Sequence, residues 1–304
     1  MKFRNLLAPI CGAVLFAACS KDDTPTKIDT EDSVGLSKVF YYKGSDTSVA
    51  PLYTDSIVYK TDGETVDKII ALYAGGQVVY TFSYNANKTV SYLKVRGVDA
   101  TVTPINVDYR FVYKSNSTLL DTLSYIDNSV DPLNNFIHYT CAYNSKDQII
   151  KVTNVEYIAY NDEFHEYLFT DYLRNDATGK IDSISMQRHS LLTGYSKIKN
   201  SIKFNTVEGD SALPIKPAYL LVLALRHNNY PFTDARVNLF TRQYLMPKDD
   251  LLRSGVLNYN RTDYPFAVNY TFDAKGMVNF FSYITDKAEP IGSTSFSIKL
   301  QYKN

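Results

Sequence analysis

From Val39 onward, apolar and polar residues alternate along the chain with a period of two. Val78, Tyr80, Phe82 and Tyr84 share one face, with Thr81 and Ser83 opposite. Val107, Tyr109, Phe111 and Tyr113 do the same against Asp108 and Arg110, and Ile298, Leu300 and Tyr302 against Lys299 and Gln301. Strict alternation predicts antiparallel strands with one buried face and one wet face.

The alternation comes in repeated units of strand, polar turn and strand. Phe82-Ser-Tyr84-Asn85 leads through Ala-Asn-Lys-Thr to Val90, and Phe111-Val-Tyr113-Lys114 through Ser-Asn-Ser-Thr to Leu119. Cys141-Ala-Tyr143-Asn144 leads to Ile149, Tyr270-Thr-Phe272-Asp273 to Val278, and Asp171-Tyr-Leu173-Arg174, with one extra residue, to Ile181. Asn, Asp, Gly, Lys and Ser suit these turns because they tolerate tight backbone angles or bond their own backbone. Asp62-Gly63 and Gly75-Gly76 read as hairpin turns, not phosphate loops. One hairpin cannot bury its apolar face alone, so successive hairpins must pair and then curl or stack. The expected fold is mainly β: an antiparallel hairpin-repeat sheet, strongly curled or barrel-like.

The segment 207–265 breaks the rhythm. It holds Pro214 and Pro217, the apolar run Ala218 to Leu225, and Arg226-His-Asn-Asn-Tyr-Pro-Phe232. Pro217 suits a first helical turn, and Asn228 and Asn229 a helix end, which predicts one short helix over 217–226. A buried strand is the alternative that periodicity leaves open.

The first residues give an address. Lys2 and Arg4 precede an apolar run from Leu6 to Ala18, too short to span a bilayer, and Ala17 and Ala18 stand before Cys19. Residues 1–18 are therefore expected to be a cleaved signal. Phe16-Ala17-Ala18-Cys19 resembles the lipobox of bacterial lipoproteins, which implies acyl chains on Cys19. Each buried CH₂ contributes about 0.8 kcal/mol, so two or three chains anchor a protein without a transmembrane segment. Ser20, Lys21, Asp22 and Asp23 resemble the acidic export signal of surface lipoproteins, which implies a cell-surface position on the outer membrane; a periplasm-facing position is the alternative. Residues 19–36 read as a polar, lipidated tether, and residues 37–304 as the β-rich domain.

Composition adds limits. Removing Lys2 and Arg4 from 32 basic and 32 acidic residues leaves 30 against 32, a net of −2 over 286 residues (304 − 18). That gives no basic field for nucleic acid. Of three cysteines, Cys11 leaves with the signal and Cys19 takes lipid, so Cys141 has no intrachain partner and reads as a buried inert thiol. The 26 Tyr and 16 Phe suit a β protein.

The repeat, the lipobox and the apolar run followed by Asn228-Asn229-Tyr230-Pro231-Phe232 together resemble a family of Bacteroides-type lipoproteins, a domain of unknown function with a porin-like fold. The resemblance spans roughly Val39 to Asn304. It implies a large barrel-like or curled sheet and brings no catalytic residues. A membrane barrel is not expected. The apolar faces are Tyr-heavy throughout rather than at girdles, the turns at both ends are similarly short, and a lipid tether makes a second anchor redundant.

Candidate chemistry is sparse. His138, His165, His189 and His227 fall in different units without metal-ligand spacing, and Asp162-Glu163-Phe164-His165-Glu166 reads as a charged hairpin turn rather than a metal site. No nucleophile elbow appears. No catalytic residue, metal or cofactor is assigned. Asp-Ser/Thr pairs at Ser33, Ser56, Thr122, Ser183 and Ser211 resemble the O-glycosylation motif of Bacteroides-type exported proteins; a polar pair before an apolar strand explains three of them equally well. The expectation is a non-catalytic binding or scaffold module, touching the membrane only through its lipid and taking a glycan, peptide or protein ligand. The alternative is a glycan- or peptide-acting hydrolase, which would need paired carboxylates on facing strands.

Overall fold

The alternating segments form sixteen antiparallel strands in a computed structural model of the chain, which describes residues 35–44, 46–98, 104–128, 136–147, 149–156, 166–174, 181–190, 196–209, 250–259, 261–285 and 295–303. The strands are β1 Leu36–Lys43, β2 Tyr53–Tyr59, β3 Val66–Tyr73, β4 Gly76–Tyr84, β5 Val90–Val98, β6 Pro104–Tyr113, β7 Leu120–Asp127, β8 Phe136–Tyr143, β9 Ile149–Glu156, β10 Glu166–Arg174, β11 Ile181–Ser190, β12 Ser196–Gly209, β13 Asp250–Tyr259, β14 Thr262–Phe272, β15 Val278–Thr285 and β16 Phe296–Tyr302. Each pairs with its sequence neighbours. β1 pairs with β2 (Lys38↔Ser56) and also with β16 (Tyr41↔Ile298), so the strand order runs round as a closed barrel. The expectation of a mainly antiparallel β chain is met.

The two faces differ sharply. Val78, Tyr80, Phe82, Leu93, Val95, Val107, Tyr109, Phe111, Phe281 and Ile298 are buried on the inner face. Their neighbours Thr81, Ser83, Lys94, Arg110 and Lys299 are exposed on the outer face. A circular tube of sixteen strands is wide enough to hold a water channel. Here the inner-face residues named above are buried, so the part of the lumen that they line is packed. Each fully buried aliphatic or Phe side chain contributes about 1.5–3 kcal/mol, which makes this inner face the main source of stability. A membrane barrel has the reverse polarity, with an apolar outer band. Among the described residues no helix is long and apolar enough to cross a membrane.

Several expectations change. The interruption at 207–265 is too wide: β12 runs to Gly209, β13 starts at Asp250, and β14 takes in Pro265. Pro265 fits inside a strand because it faces Val256 on β13, while pairing with β15 starts only at Phe266. Its missing N–H therefore breaks no ladder bond. The predicted helix over 217–226 lies outside the described residues. Leu173 does not share the inward position of Tyr84 and Tyr113. Asp171 faces the outer-wall residue Lys151, and Leu173 stands 64% exposed on the same wall. The register shift between Leu173 and Arg174 is the one that precedes Tyr84, Tyr113 and Tyr143 in the other units, so Arg174, paired with Ile181, takes the register position of those tyrosines. Cys141 is half-buried against the core, not fully buried.

Candidate functional site

Even-numbered strands end, and odd-numbered strands begin, at one end of the barrel. Four turns at this end share one geometry. In the turn after β4, the Lys88 N–H donates to the Asn85 carbonyl (3.0 Å) and the Asn85 N–H to the Thr89 carbonyl (2.8 Å). The same closing bond joins Gly63 to Lys60 (2.9 Å), Asp147 to Asn144 (3.1 Å) and Gly276 to Asp273 (3.0 Å). The residue making it is left-handed each time: Gly63 (φ 70°), Lys88 (64°), Asp147 (58°) and Gly276 (76°). This is a tight turn followed by a left-handed residue, which matches the twist of the flanking strands. Short polar side chains lock the turns. Asp62 Oδ1 accepts from the Glu64 and Thr65 N–H groups, and Asp273 Oδ1 from those of Lys275 and Met277.

Just inside the turns, tyrosines clasp the strands. The Tyr59 hydroxyl donates to the Leu36 carbonyl (2.8 Å), Tyr84 to Val66 (2.6 Å), Tyr113 to Val90 (2.7 Å), Tyr143 to Leu120 (2.7 Å) and Tyr302 to Val278 (2.6 Å). Each ties the last residue of an even strand to the first residue of its preceding neighbour. Burial raises the Tyr59 hydroxyl pKa to about 12, and pushes those of Tyr84 and Tyr302 up as well. The residue after the tyrosine reaches the next unit. Lys60 lies 4.8 Å from the Tyr84 ring centre and Lys114 4.6 Å from that of Tyr143. Lys303 lies 3.4 Å from the Tyr59 ring centre, so the last unit caps the first in the same way. The Lys303 N–H also donates to the Gly35 carbonyl, which places the chain's route into β1 at this end.

A buried polar layer lies deeper in the lumen. Asp55 takes the repeat position that holds Tyr80, Tyr109 and Tyr139, and all four are 0% exposed. In the sequence Asp55-Ser56 is one of the five pairs that resemble a modification motif or, equally, a polar pair before an apolar strand. In the structure Asp55 faces inward, and Ser56 is half-buried in mid-strand, not at a strand start. Thr122 and Ser183 do sit at strand starts, each half-buried beside an exposed Asp121 or Asp182. Ser33 and Ser211 lie outside the described residues, as do Cys19, Ser20, Lys21, Asp22 and Asp23.

Among the described residues, the outer wall carries an ordered polar cluster around Arg96 and Asp108. Arg96 Nη2 meets Asp108 Oδ1 at 2.6 Å, and Arg96 Nη1 donates to the Val95 and Val107 carbonyls. Asn128 donates to Asp108 Oδ2 (3.0 Å). Partial burial pushes the Asp108 pKa up, but hydrogen bonds from Tyr92, Arg96 and Asn128 outweigh it and leave it lowered. Among the described residues no three His, Cys, Asp or Glu side chains converge as a metal site. His138 and His189 fall on β8 and β11; His165 and His227 lie outside the described residues.

No family model and no curated protein matches the chain. Among solved structures, it is similar to a porin-like protein from Bacteroides uniformis (11% identity, 88% of this chain, 96% of that one, TM-score 0.47). Another is a porin-like protein from Bacteroides vulgatus (11% identity, 88% and 99%, TM-score 0.39). A third is the Tc holotoxin pore of Photorhabdus luminescens (13% identity, 82% and 13%, TM-score 0.29). Every one of these superpositions is too loose to carry a function across.

Proposed function

We propose that this chain is an exported lipoprotein, anchored through Cys19 to the outer membrane and facing the cell surface. In this reading its barrel is a non-catalytic binding or scaffold module that meets glycan, peptide or protein partners with its outer wall. The observation that carries it is the polarity of the two faces. The apolar side chains turn inward, and Lys94, Arg110, Lys299 and Thr81 turn outward. Such a wall favours water over lipid, because a charged residue facing lipid at mid-membrane costs about 2–4 kcal/mol. The body therefore needs a separate anchor to stay at a membrane, and the lipobox-like Phe16-Ala17-Ala18-Cys19 supplies a candidate for one.

The test is the intact mass of the protein extracted from its native membrane, together with protease shaving of whole cells. A mature chain starting at an acylated Cys19 and cut by external protease is the expected result. An unmodified Cys19 with residues 1–18 still attached would end the anchored reading. Protection from protease in whole cells but not in lysed cells would turn the barrel toward the periplasm.

A further inference from the structure

We propose that the barrel wall parts between β13 and β14 at the end that carries the four tight turns, and that Arg253 on the ring of Tyr270 is the latch of this seam. The inference is independent of the anchored reading. It starts from where each ladder stops. In the clasped hairpins the last pair falls three residues before the clasp tyrosine: Thr81↔Lys68 before Tyr84, Arg110↔Tyr92 before Tyr113 and Thr140↔Thr122 before Tyr143. The β13–β14 ladder stops at Ser254↔Ala267, five residues before Phe272. Yet β13 stays paired with β12 out to Gly209↔Asp250, and β14 with β15 out to Phe272↔Val278. Both sides of the split are therefore held from outside. Across it, among the described residues, 250–253 and 268–272 make no ladder pair with each other.

The same hairpin lacks its clasp. Phe272 pairs with Val278 directly after a register shift, as Tyr84 pairs with Val90. It thus takes the tyrosine position without a hydroxyl, and its ring stands 43% exposed. Just inside the split, β13 carries Gly255, and the space its Cβ would fill is taken by the Phe266 ring, so β13 adds no side-chain packing of its own there. Arg253 is skipped in the register with β12, where Thr206 faces Ser254 and Val207 faces Leu252. A bulged residue of this kind has its side chain re-aimed. The Arg253 guanidinium lies 5.1 Å from the ring centre of Tyr270, across the split, and Tyr270 packs in turn on the fully buried Phe281. A cation on a ring therefore does here what a hydroxyl clasp does elsewhere. The seam where the chain's first and last strands meet is better held. It is paired from Leu36↔Tyr302 to Lys43↔Phe296 and flanked by the Tyr59 and Tyr302 clasps. Local opening takes the path with the fewest bonds to break, so the barrel yields within the chain rather than at its ends. Parting there uncovers the inner-face rings of Phe266, Tyr270 and Phe281, which makes the split the way in to the packed part of the lumen.

The experiment reads opening with buried thiols in the full chain. In a Cys141→Ser background, Val268→Cys on β14 and Val107→Cys on β6 place one thiol on the inner face at the split or in a clasped hairpin; both positions are 2% exposed. A thiol reagent is expected to label position 268 about tenfold faster than 107, with a shallower urea dependence, because local parting exposes less surface than global unfolding. Arg253→Gln should speed labelling at 268 by about two- to fivefold, and Phe272→Tyr should slow it about fivefold by supplying the missing donor. Neither change should alter labelling at 107. Equal rates at the two positions, a rate at 268 that tracks global unfolding in urea, or a rate indifferent to both substitutions would overturn the proposal. Hydrogen exchange of the native chain needs no substitution. Its β13 and β14 peptides should lose protection before those of β4 to β6, and the same or the reverse order would count equally against the seam.

Discussion

Removing one hydroxyl from each tyrosine clasp tests how the barrel is held shut. Tyr59, Tyr84, Tyr113, Tyr143 and Tyr302 each donate to a strand-start carbonyl at 2.6–2.8 Å. Replacement by Phe keeps the ring and deletes the donor. An intramolecular hydrogen bond contributes about 1 kcal/mol net, and the carbonyls left behind belong to the buried residues Leu36, Val66, Val90, Leu120 and Val278. Each Tyr→Phe change should therefore cost about 1–1.5 kcal/mol. The clasps sit on alternate strands about 10 Å apart, so their losses should add to within about half a kcal/mol. Five changes then total about 5–7.5 kcal/mol, a large part of the 5–15 kcal/mol typical of a folded protein. Urea titration reads this as a falling midpoint at constant slope, and each single change should lower Tm by about 2–4 °C. Tyr302→Phe is the informative member because its clasp joins β15 and β16, next to the β1–β16 seam. If the seam is one more ordinary strand pair, its cost matches the other four. Five Phe variants all within about 0.3 kcal/mol of the native chain would refute the clasp argument.

Three further outcomes follow from the same geometry. Lys88→Gly should stabilise the fold by about 0.5–1 kcal/mol, because φ 64° strains a side-chain-bearing residue and Gly276 already fills the equivalent site; a lower denaturation midpoint would contradict this. Gly97→Ala should cost about 2–4 kcal/mol, since φ is 141° and a Cβ would run into the Gln77 backbone, whereas Gly44→Ala meets open space and should cost about 1 kcal/mol; equal losses would show that the close approach is unimportant. Hydrogen bonds from the Thr65 hydroxyl and the Thr65 and Glu64 N–H groups hold the Asp62 carboxyl at about 2, below its ordinary 3.8. Its stabilising contribution is full above about pH 4 and is lost as pH falls through about 2. Asp62→Asn should thus flatten the acid limb of stability, and a carboxyl titration midpoint near 4 would remove the basis for it.

The sequence by itself determined the local structure. Alternation at 78–84, 107–113 and 298–302 fixed which side chains turn inward, because successive strand residues point to opposite faces whatever lies beyond. The recurring Asn, Asp, Lys and Gly residues fixed the turns, because tight connections accept few residue types. Pairing and position were decided only in three dimensions. That Lys303 caps Tyr59 depends on closure between β1 and β16, which no neighbouring residues encode. Asp55 read as half of a modification motif, and only the register of β2 against β1 and β3 set its carboxyl on the inner face beside the tyrosine positions. Leu173 looked like a tyrosine-type position, but its unshifted register sets it on the outer wall, and Arg174, after the shift, stands where the tyrosines stand in the other units. The gathering of the clasp tyrosines at the end where the chain reaches its first strand is likewise a property of the ring. Strand direction alternates with parity, and closure brings every second turn to one rim.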